Sequence, residues 1–323
     1  MKAAIYQSYG PPEVVEIAEV PKPIPKDDEV LIKIQAASVN PYDWHFMRGL
    51  PYIVRIVGGF PKPKDNRLGA DVAGQVEAAG KSVTQFKIND EVFGTCKGAF
   101  AEYACAPENR LALKPQNLTV EQAAAVPIAG FTALQGLRKK VKIRQGQKVL
   151  VNGAAGGVGT FAVQIARSMG AEVTGVCSTR NVEMVRSIGA AHVIDYSKED
   201  FTKGERRYDV ILDAVGNHSL SKLRGVLNAK STYVAVGGPS DPWMIQPLAR
   251  TLMKVVLSLF GGPKMFMIFA SFNQDDLKTL QELMQSGKVT PVVDRSYKLQ
   301  EIREAIRYVE TGHARGKVVV TMN

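Results

Sequence analysis

Cysteine is scarce: Cys96, Cys105 and Cys177 are the three in a chain of 323 residues, and no two form a C-x-x-C pair. That spacing excludes a disulfide framework and a cysteine-based zinc knuckle, and it suits a reducing compartment. Histidine is nearly as rare, and His45, His192, His218 and His313 lack the spacing of metal ligands. The opening MKAAIYQSYG has no apolar core of the signal-peptide kind, and no uncharged span is long enough to cross a bilayer. The cytoplasm is therefore the expected compartment. Internal repeats of roughly 20 to 50 residues are also absent.

Acidic residues are outnumbered, with 41 Lys and Arg facing 31 Asp and Glu for a net charge of +10. Such an excess fits a nucleic acid, an anionic membrane or an anionic cofactor. Most of it is scattered. The one dense run, Arg138 to Arg144 with Lys139, Lys140 and Lys142, has no interleaved aromatic residues for base stacking and reads as a solvated face. With 45% hydrophobic residues the chain is ordinary globular material, long enough for two domains.

What is present centres on VLVNGAAGGVG, an apolar run ending at Val151 followed by a glycine-dense turn from Gly153 to Gly159. Glycines let a pyrophosphate approach the backbone, and a following helix offers unpaired N–H groups. Against the fingerprint G-x-G-x-x-G, the chain reads Ala154-Ala155-Gly156-Gly157-Val158-Gly159, with alanine in the first place. The flanks fit a dinucleotide site: a strand before, and after it FAVQIARSMGA, with Phe161, Ile165, Ala166 and Met169 at helical spacing. The next strand, Glu172 to Val176, ends on Cys177, Ser178, Thr179 and Arg180, where an NAD enzyme keeps a carboxylate for the ribose hydroxyls. A hydroxyl and a guanidinium suit a 2′-phosphate instead, so the expected cofactor is NADPH. The bland alternative for Arg180 is a solvated charge at a helix start.

Around this centre the texture changes twice. KAAIYQSYG, VLIKIQAASVN, GADVAGQVEAAG, KINDEVFGT and AFAEYACAP read as short strands of a twisted, barrel-like β domain, and the segment from Pro41 to Leu68 reads as a long glycine- and proline-rich connection. Thr119 with Gln122 forms a capping-box start. Strand and helix patterns then alternate through EVTGVCS, NVEMVRSIGA, HVIDY, YDVILDAVG, SLSKLRGVLN, STYVAVGG and MFMIFA, the signature of a doubly wound parallel sheet. The expected organisation is α/β: a first β part over 1–122, a dinucleotide domain over 123–271, and a return to the β domain over 272–323.

SVNPYDWHFMRG, GADVAGQVEAAG, VPIAGFTALQGL, GAAGGVG, VCSTRN and GHARGKVVV, in that order, resemble the medium-chain dehydrogenase/reductase superfamily, and within it the zinc-free NADPH:quinone oxidoreductase, or zeta-crystallin-like, branch. The resemblance implies a Rossmann domain inserted in a GroES-like β domain. It also implies where a zinc relative would carry its ligands. Asn40 stands in place of the first cysteine, Ala70 and Asp71 in place of the histidine and glutamate of G-H-E-x-x-G, and no four-cysteine lobe follows. His45 is nearby but alone and reads as a packed or hydrogen-bonded side chain.

Without a Lewis-acid metal, a conjugated acceptor such as a quinone or an α,β-unsaturated carbonyl is the fitting substrate, because hydride attack places charge on a distant oxygen that hydrogen-bond donors can stabilise. The resemblance makes the Asn40 amide the first candidate donor, with Tyr42 and Tyr52 as candidate proton sources. It places Thr132 near the nicotinamide amide, Ala155, Gly156, Gly157 and Val158 at the pyrophosphate, and Ser178, Arg180 and Tyr196 at the 2′-phosphate. Gly216, Gly237, Gly238, Ser271 and Phe272 border the nicotinamide half. Lys317 is a cofactor candidate whose alternative is an exposed lysine at a strand end. The apolar stretch between Trp243 and Phe260 reads as a helix over the substrate cleft, a homodimer contact, or a membrane-surface contact for lipid-soluble quinones. Two rivals stand beside this reading: an NADP-dependent alcohol or aldehyde dehydrogenase, and an NADPH-binding protein with an RNA-binding or structural role.

Overall fold

A computed structural model describes residues 1–139, 141–236 and 263–322. The chain divides into two units. One comprises Met1–Phe131, Phe272–Gly287 and Pro291–Asn323, the other Thr132–Ser271 and Lys288–Thr290.

The first unit is built on a long strand, β3 (Glu29–Val39), whose residues from Val30 are buried almost without interruption. One flank of β3 pairs antiparallel with β4 (Asp71–Ala79). The other flank is shared, by β6 (Tyr103–Pro107) along its first half and β15 (Lys317–Thr321) along its second. The β3–β4 register shifts at Leu31/Ile32 and Ile34/Ala36, and the second shift falls where the other flank passes from β6 to β15. Beyond β4 the sheet continues through β5 (Glu91–Thr95) to β7 (Leu111–Leu113), and beyond β15 to β14 (Val293–Lys298). Ile32, Val72, Phe100, Leu111 and Val318 fill its core, and α9 (Ile302–Glu310) adds Ile302 and Ile306.

The stretch Pro41–Leu68, read as a long glycine- and proline-rich connection, contains two short helices, α1 (Pro41–Arg48) and α2 (Val54–Gly58). Pro41 sits at the first helical position, the Asp43 carboxylate accepts the Asn40 N–H at 2.7 Å, and Gly49 closes α1 in the left-handed region at φ 59°. All three are ordinary helix signals, obscured by the glycines and prolines that follow.

The second unit holds a six-stranded sheet in the order β10-β9-β8-β11-β12-β13, parallel at every pairing. These are His192–Asp195, Glu172–Cys177, Lys148–Asn152, Tyr208–Asp213, Leu227–Ala235 and Lys264–Met267 respectively. Counted from β8, the order is third, second, first, fourth, fifth, sixth: the doubly wound arrangement, whose strand order reverses beside the first strand. Val149, Leu150 and Val151 of β8 are fully buried, and so are Phe161 and Ile165 of α5 (Gly157–Ser168), the helix that follows it. Among the described residues, no helix is long and apolar enough to cross a membrane.

Gly159 shows why the turn tolerates little. A Cβ there would lie 2.0 Å from the Gly153 carbonyl oxygen, so α5 can leave the sheet at this angle only without a side chain. Gly159→Ala is therefore expected to cost about 1–3 kcal/mol of unfolding free energy, the usual price of overpacking, in urea denaturation. A loss below about 0.5 kcal/mol, the range of a neutral surface change, would mean that the turn is not sterically closed.

Candidate functional site

In the second unit, β8 runs into a cradle. Gly153 takes φ 84°, and Gly156 occupies the N-cap of α5 with no side chain to bond the first-turn N–H groups. Ala155, Gly156, Gly157 and Val158 thus line an open helix N-terminus, the arrangement that receives a pyrophosphate. At Gly175 on β9 a Cβ would come within 2.5 Å of a Val185 methyl, so the neighbouring strand is also held close.

Beyond β9, Cys177 is buried and Ser178 begins a tight turn over Thr179–Asn181. No carboxylate follows on this strand. The nearest one in the sheet register is Asp195, which ends β10 opposite Cys177. Its oxygens are occupied: Thr179 donates at 2.6 Å, the Ser197 hydroxyl at 2.7 Å and the Ser197 N–H at 3.0 Å. These bonds, led by that from Thr179, hold Asp195 below the usual carboxylate range. The Ser178 hydroxyl accepts from Asn181 at 3.2 Å, which leaves its own proton to donate. Tyr196 is exposed beside it. Sequence reasoning passed over both Asp195 and Asn181, although D-Y in VIDY and N in STRN stand inside the quoted motifs.

At the end of β11, buried Asp213 gathers a loop. It accepts from Asn152 at 2.8 Å, from the Val215 and Gly216 N–H groups at 3.0 and 2.8 Å, and from the Tyr233 hydroxyl at 2.8 Å. Gly216 is held at φ 73° by these bonds. Ser271 is fixed by both ends of the Gln135 amide, at 2.6 and 3.2 Å, and Thr132 is buried on α4 (Pro127–Arg138). Gly237, Gly238 and the apolar stretch between Trp243 and Phe260 lie outside the described residues.

The first unit contains a buried polar cluster where β3, β4 and β15 end together. Asp71 accepts from Ser38 and Asn40 at 2.9 Å on one oxygen, and from the Ile128 N–H at 3.0 Å on the other. Lys317, only 3% exposed, bonds Asn40 Oδ1 at 2.5 Å and the Val39 carbonyl at 3.4 Å, and it pairs with Asp71 at 3.7 Å. Burial pulls the Lys317 ammonium below its ordinary value against the pull of Asp71 and Asp43, and burial pushes Asp71 up against Lys317 and its hydrogen-bond donors. Asp43 is raised to about 7, first by burial and then by the charge of Asp71, with the Asn40 and Gly69 N–H groups and Lys317 opposing. Its Oδ1 has no hydrogen-bond partner, so nothing on that oxygen stabilises the charged form.

The cluster bears on two of the expected site residues. Lys317 is not an exposed strand-end lysine: it is buried, and its ammonium bonds Asn40 and pairs with Asp71. Asn40 is 2% exposed and its amide hydrogens go to Ser38 O at 3.2 Å and to Asp71, so in this arrangement it has none to donate to an acceptor. The tyrosines differ: Tyr42 is 48% and Tyr52 43% exposed. Tyr42 stacks on Phe46 at 4.5 Å, and Arg55 lies 5.0 Å from the Tyr52 ring. Burial of part of the ring, then the charges of Asp43 and Asp65, push the Tyr42 phenol up, with Arg110 opposing. Phe272 meets Phe131 edge-on at 5.7 Å and carries Arg110 over its face at 5.1 Å. His45 is engaged with the Leu50 carbonyl at 2.7 Å.

Residues 26–116 match the alcohol dehydrogenase GroES-like domain family and residues 188–320 the zinc-binding dehydrogenase family. A chloroplast envelope quinone oxidoreductase homolog of Arabidopsis thaliana is 32% identical over 99% of this chain and 98% of its own length. The NADPH-dependent alkenal/one oxidoreductase of the same plant is 35% identical over 99% of this chain and 79% of its own. Among solved structures, the quinone oxidoreductase from Coxiella burnetii superposes with a TM-score of 0.85 at 30% identity, covering 100% of this chain and 99% of that one.

The state of Asp43 has a measurable consequence. Its folded pKa of about 7 lies above the ordinary carboxylate value, so the folded protein binds the proton more tightly than the unfolded chain. The stability this contributes is complete below about pH 4 and is lost as the pH rises through about 7. Asp43→Asn is expected to flatten the fall in unfolding free energy between those values, followed by denaturant titration across the window. An unchanged slope would place the proton elsewhere.

Proposed function

The chain belongs to the medium-chain dehydrogenase/reductase superfamily, in its zinc-free quinone oxidoreductase-like branch, and from that premise we propose that it is an NADPH-dependent reductase of quinones or α,β-unsaturated carbonyls that works without a metal ion. The observation that carries this reading is the donor set. Where a zinc relative would hold its metal, this chain has the Asn40 amide, Ala70, and an Asp71 carboxylate already paired with a buried ammonium. An amide, a methyl group and a cation do not make a zinc site.

The residues of the second unit fit a dinucleotide. The cradle at Gly153–Gly159, which a Cβ at 159 would fill, receives a pyrophosphate on the N–H groups of Ala155 through Val158. Ser178 has a proton to donate and Arg180 a guanidinium, while Asp195, the nearest carboxylate, is already bonded to Thr179 and Ser197. Donors with an engaged carboxylate favour a 2′-phosphate over a free ribose diol. Tyr196 flanks the same position, and Gly216 and Ser271 border the nicotinamide half. When bound, this cofactor supplies the hydride.

On the acceptor side the chain must stabilise charge on the carbonyl or quinone oxygen and return one proton. Tyr42, its phenol pushed up and so protonated at neutral pH, is suited to both tasks, with Tyr52 as the second hydroxyl. A conjugated acceptor needs no more, because the hydride and the charge arrive at opposite ends of the conjugated system. A simple ketone or alcohol would need a stronger polariser.

Arg180→Glu is expected to lower kcat/KM for NADPH by about 100-fold while changing that for NADH by less than about threefold, the loss of a charge-assisted contact to phosphate. An unchanged preference would remove Arg180 from the phosphate site. Quinones and enones, but not simple aldehydes, are expected to be turned over when the purified protein is followed by NADPH absorbance. Turnover of simple aldehydes that depends on copurified zinc would favour the alcohol dehydrogenase reading.

A further inference from the structure

We propose that Lys317 is a positioning residue for the acceptor side of the site: its ammonium locks the Asn40 amide and, through it, fixes the start of α1 and hence Tyr42. This rests on the reading of the chain as a reductase of conjugated acceptors.

The argument begins with charge. The cluster contains one cation, Lys317, and two carboxylates, Asp71 and Asp43, all at most 3% exposed. A dry site of this kind is tolerable only near neutrality. Asp71 is the carboxylate with the partners to stay ionised: Lys317 at 3.7 Å, Asn40 and Ser38 at 2.9 Å, and the Ile128 N–H at 3.0 Å. Asp43 has the Asn40 N–H on Oδ2 and nothing on Oδ1, so it is the carboxyl whose charged form is held least.

The second step is orientation. An amide flipped end for end would put Asn40 Nδ2 against the Lys317 ammonium and Oδ1 against the Asp71 carboxylate, two repulsive contacts. The observed orientation makes both attractive, at 2.5 and 2.9 Å. Lys317 therefore selects one of the two amide states. The Asn40 backbone N–H bonds Asp43 one turn into α1, and the Asn40 carbonyl accepts the Asp43 N–H at 3.0 Å. Tyr42 lies between those two residues. The chain of contacts runs Lys317, Asn40, Asp43, with Tyr42 carried by the backbone they hold. The groups that face it are accounted for: Asp71 and Asp43 toward Lys317; Asp71 and Lys317 toward Asp43; Asp43, Asp65 and Arg110 toward Tyr42.

A charge cycle separates this role from mere support. Lys317→Met is expected to lower kcat for an enone or quinone at least about 10-fold, while the Kd for NADPH, read by fluorescence titration, stays within about threefold. It is also expected to raise the titration of Asp43 by about one pH unit or more, seen in the carboxyl infrared band that Asp43→Asn abolishes. Lys317→Met/Asp71→Asn, which restores neutrality and supports folding if the single variant is unstable, should return that titration toward the wild-type position without restoring kcat. A 10-fold weaker NADPH Kd would overturn the proposal by making Lys317 a cofactor ligand, and so would an Asp43 titration indifferent to Lys317. Should the wild-type protein reduce no conjugated acceptor, the functional reading fails, and the infrared cycle still decides the wiring of the cluster.

Discussion

Burying an ammonium beside carboxylates is costly, and the buried polar cluster of the first unit is arranged to meet that cost. Lys317 opens β15, Asp71 opens β4 and Asn40 follows β3, so the pairing of three strands delivers them to one point. Neither half of the ion pair is tolerable there alone. The strand register is thus the condition for the polar cluster, and the cluster is a reason for the register to be strict. A slip of one residue would turn Lys317 outward and leave Asp71 unpaired. From this point α1 departs carrying Tyr42, and the Ile128 N–H at the start of α4 is tied to the other oxygen of Asp71.

The second unit answers a different constraint. Its cradle must admit an anion without offering it a lysine, so the chain relies on backbone N–H groups and on glycines whose missing side chains keep strand, turn and helix close. Its loops are held by carboxylates. Asp213 collects the turn that contains Gly216, and Asp195 ties Thr179 to Ser197. These acids act as internal staples: Asp213 accepts four hydrogen bonds and Asp195 three.

Much of the fold was legible in the chain. Alternating strand and helix patterns with a glycine turn between the first pair are enough to imply a doubly wound sheet, because periodicity and turn chemistry are local properties. The GroES-like unit came from ordered motifs and resemblance. The helix at Pro41–Arg48 was missed although Asn40, Pro41 and Asp43 are helix-start residues, since the density of glycine and proline downstream outweighed them. The candidate site divides the same way. Ser178 and the glycine turn are read from neighbours in sequence. By contrast, Lys317 and Asn40 are 277 positions apart, and nothing local in GKVVV says that its lysine points inward. The commitment of the Asn40 amide and the upward shift of Asp43 are likewise properties of a three-dimensional cluster. Motif reasoning singled out Asn40 and could not tell that its amide hydrogens go to Ser38 and Asp71.

Hydride delivery to a conjugated carbon without a metal can be observed directly. The protein, dialysed against chelator and shown metal-free by elemental analysis, is given NADPH deuterated at the transferable position together with an α,β-unsaturated ketone, and the product is examined by mass spectrometry and NMR. One deuterium on the β-carbon and one solvent proton on the α-carbon is the expected outcome. A product labelled at the carbonyl carbon, or reduction that appears only when zinc is returned, would contradict it.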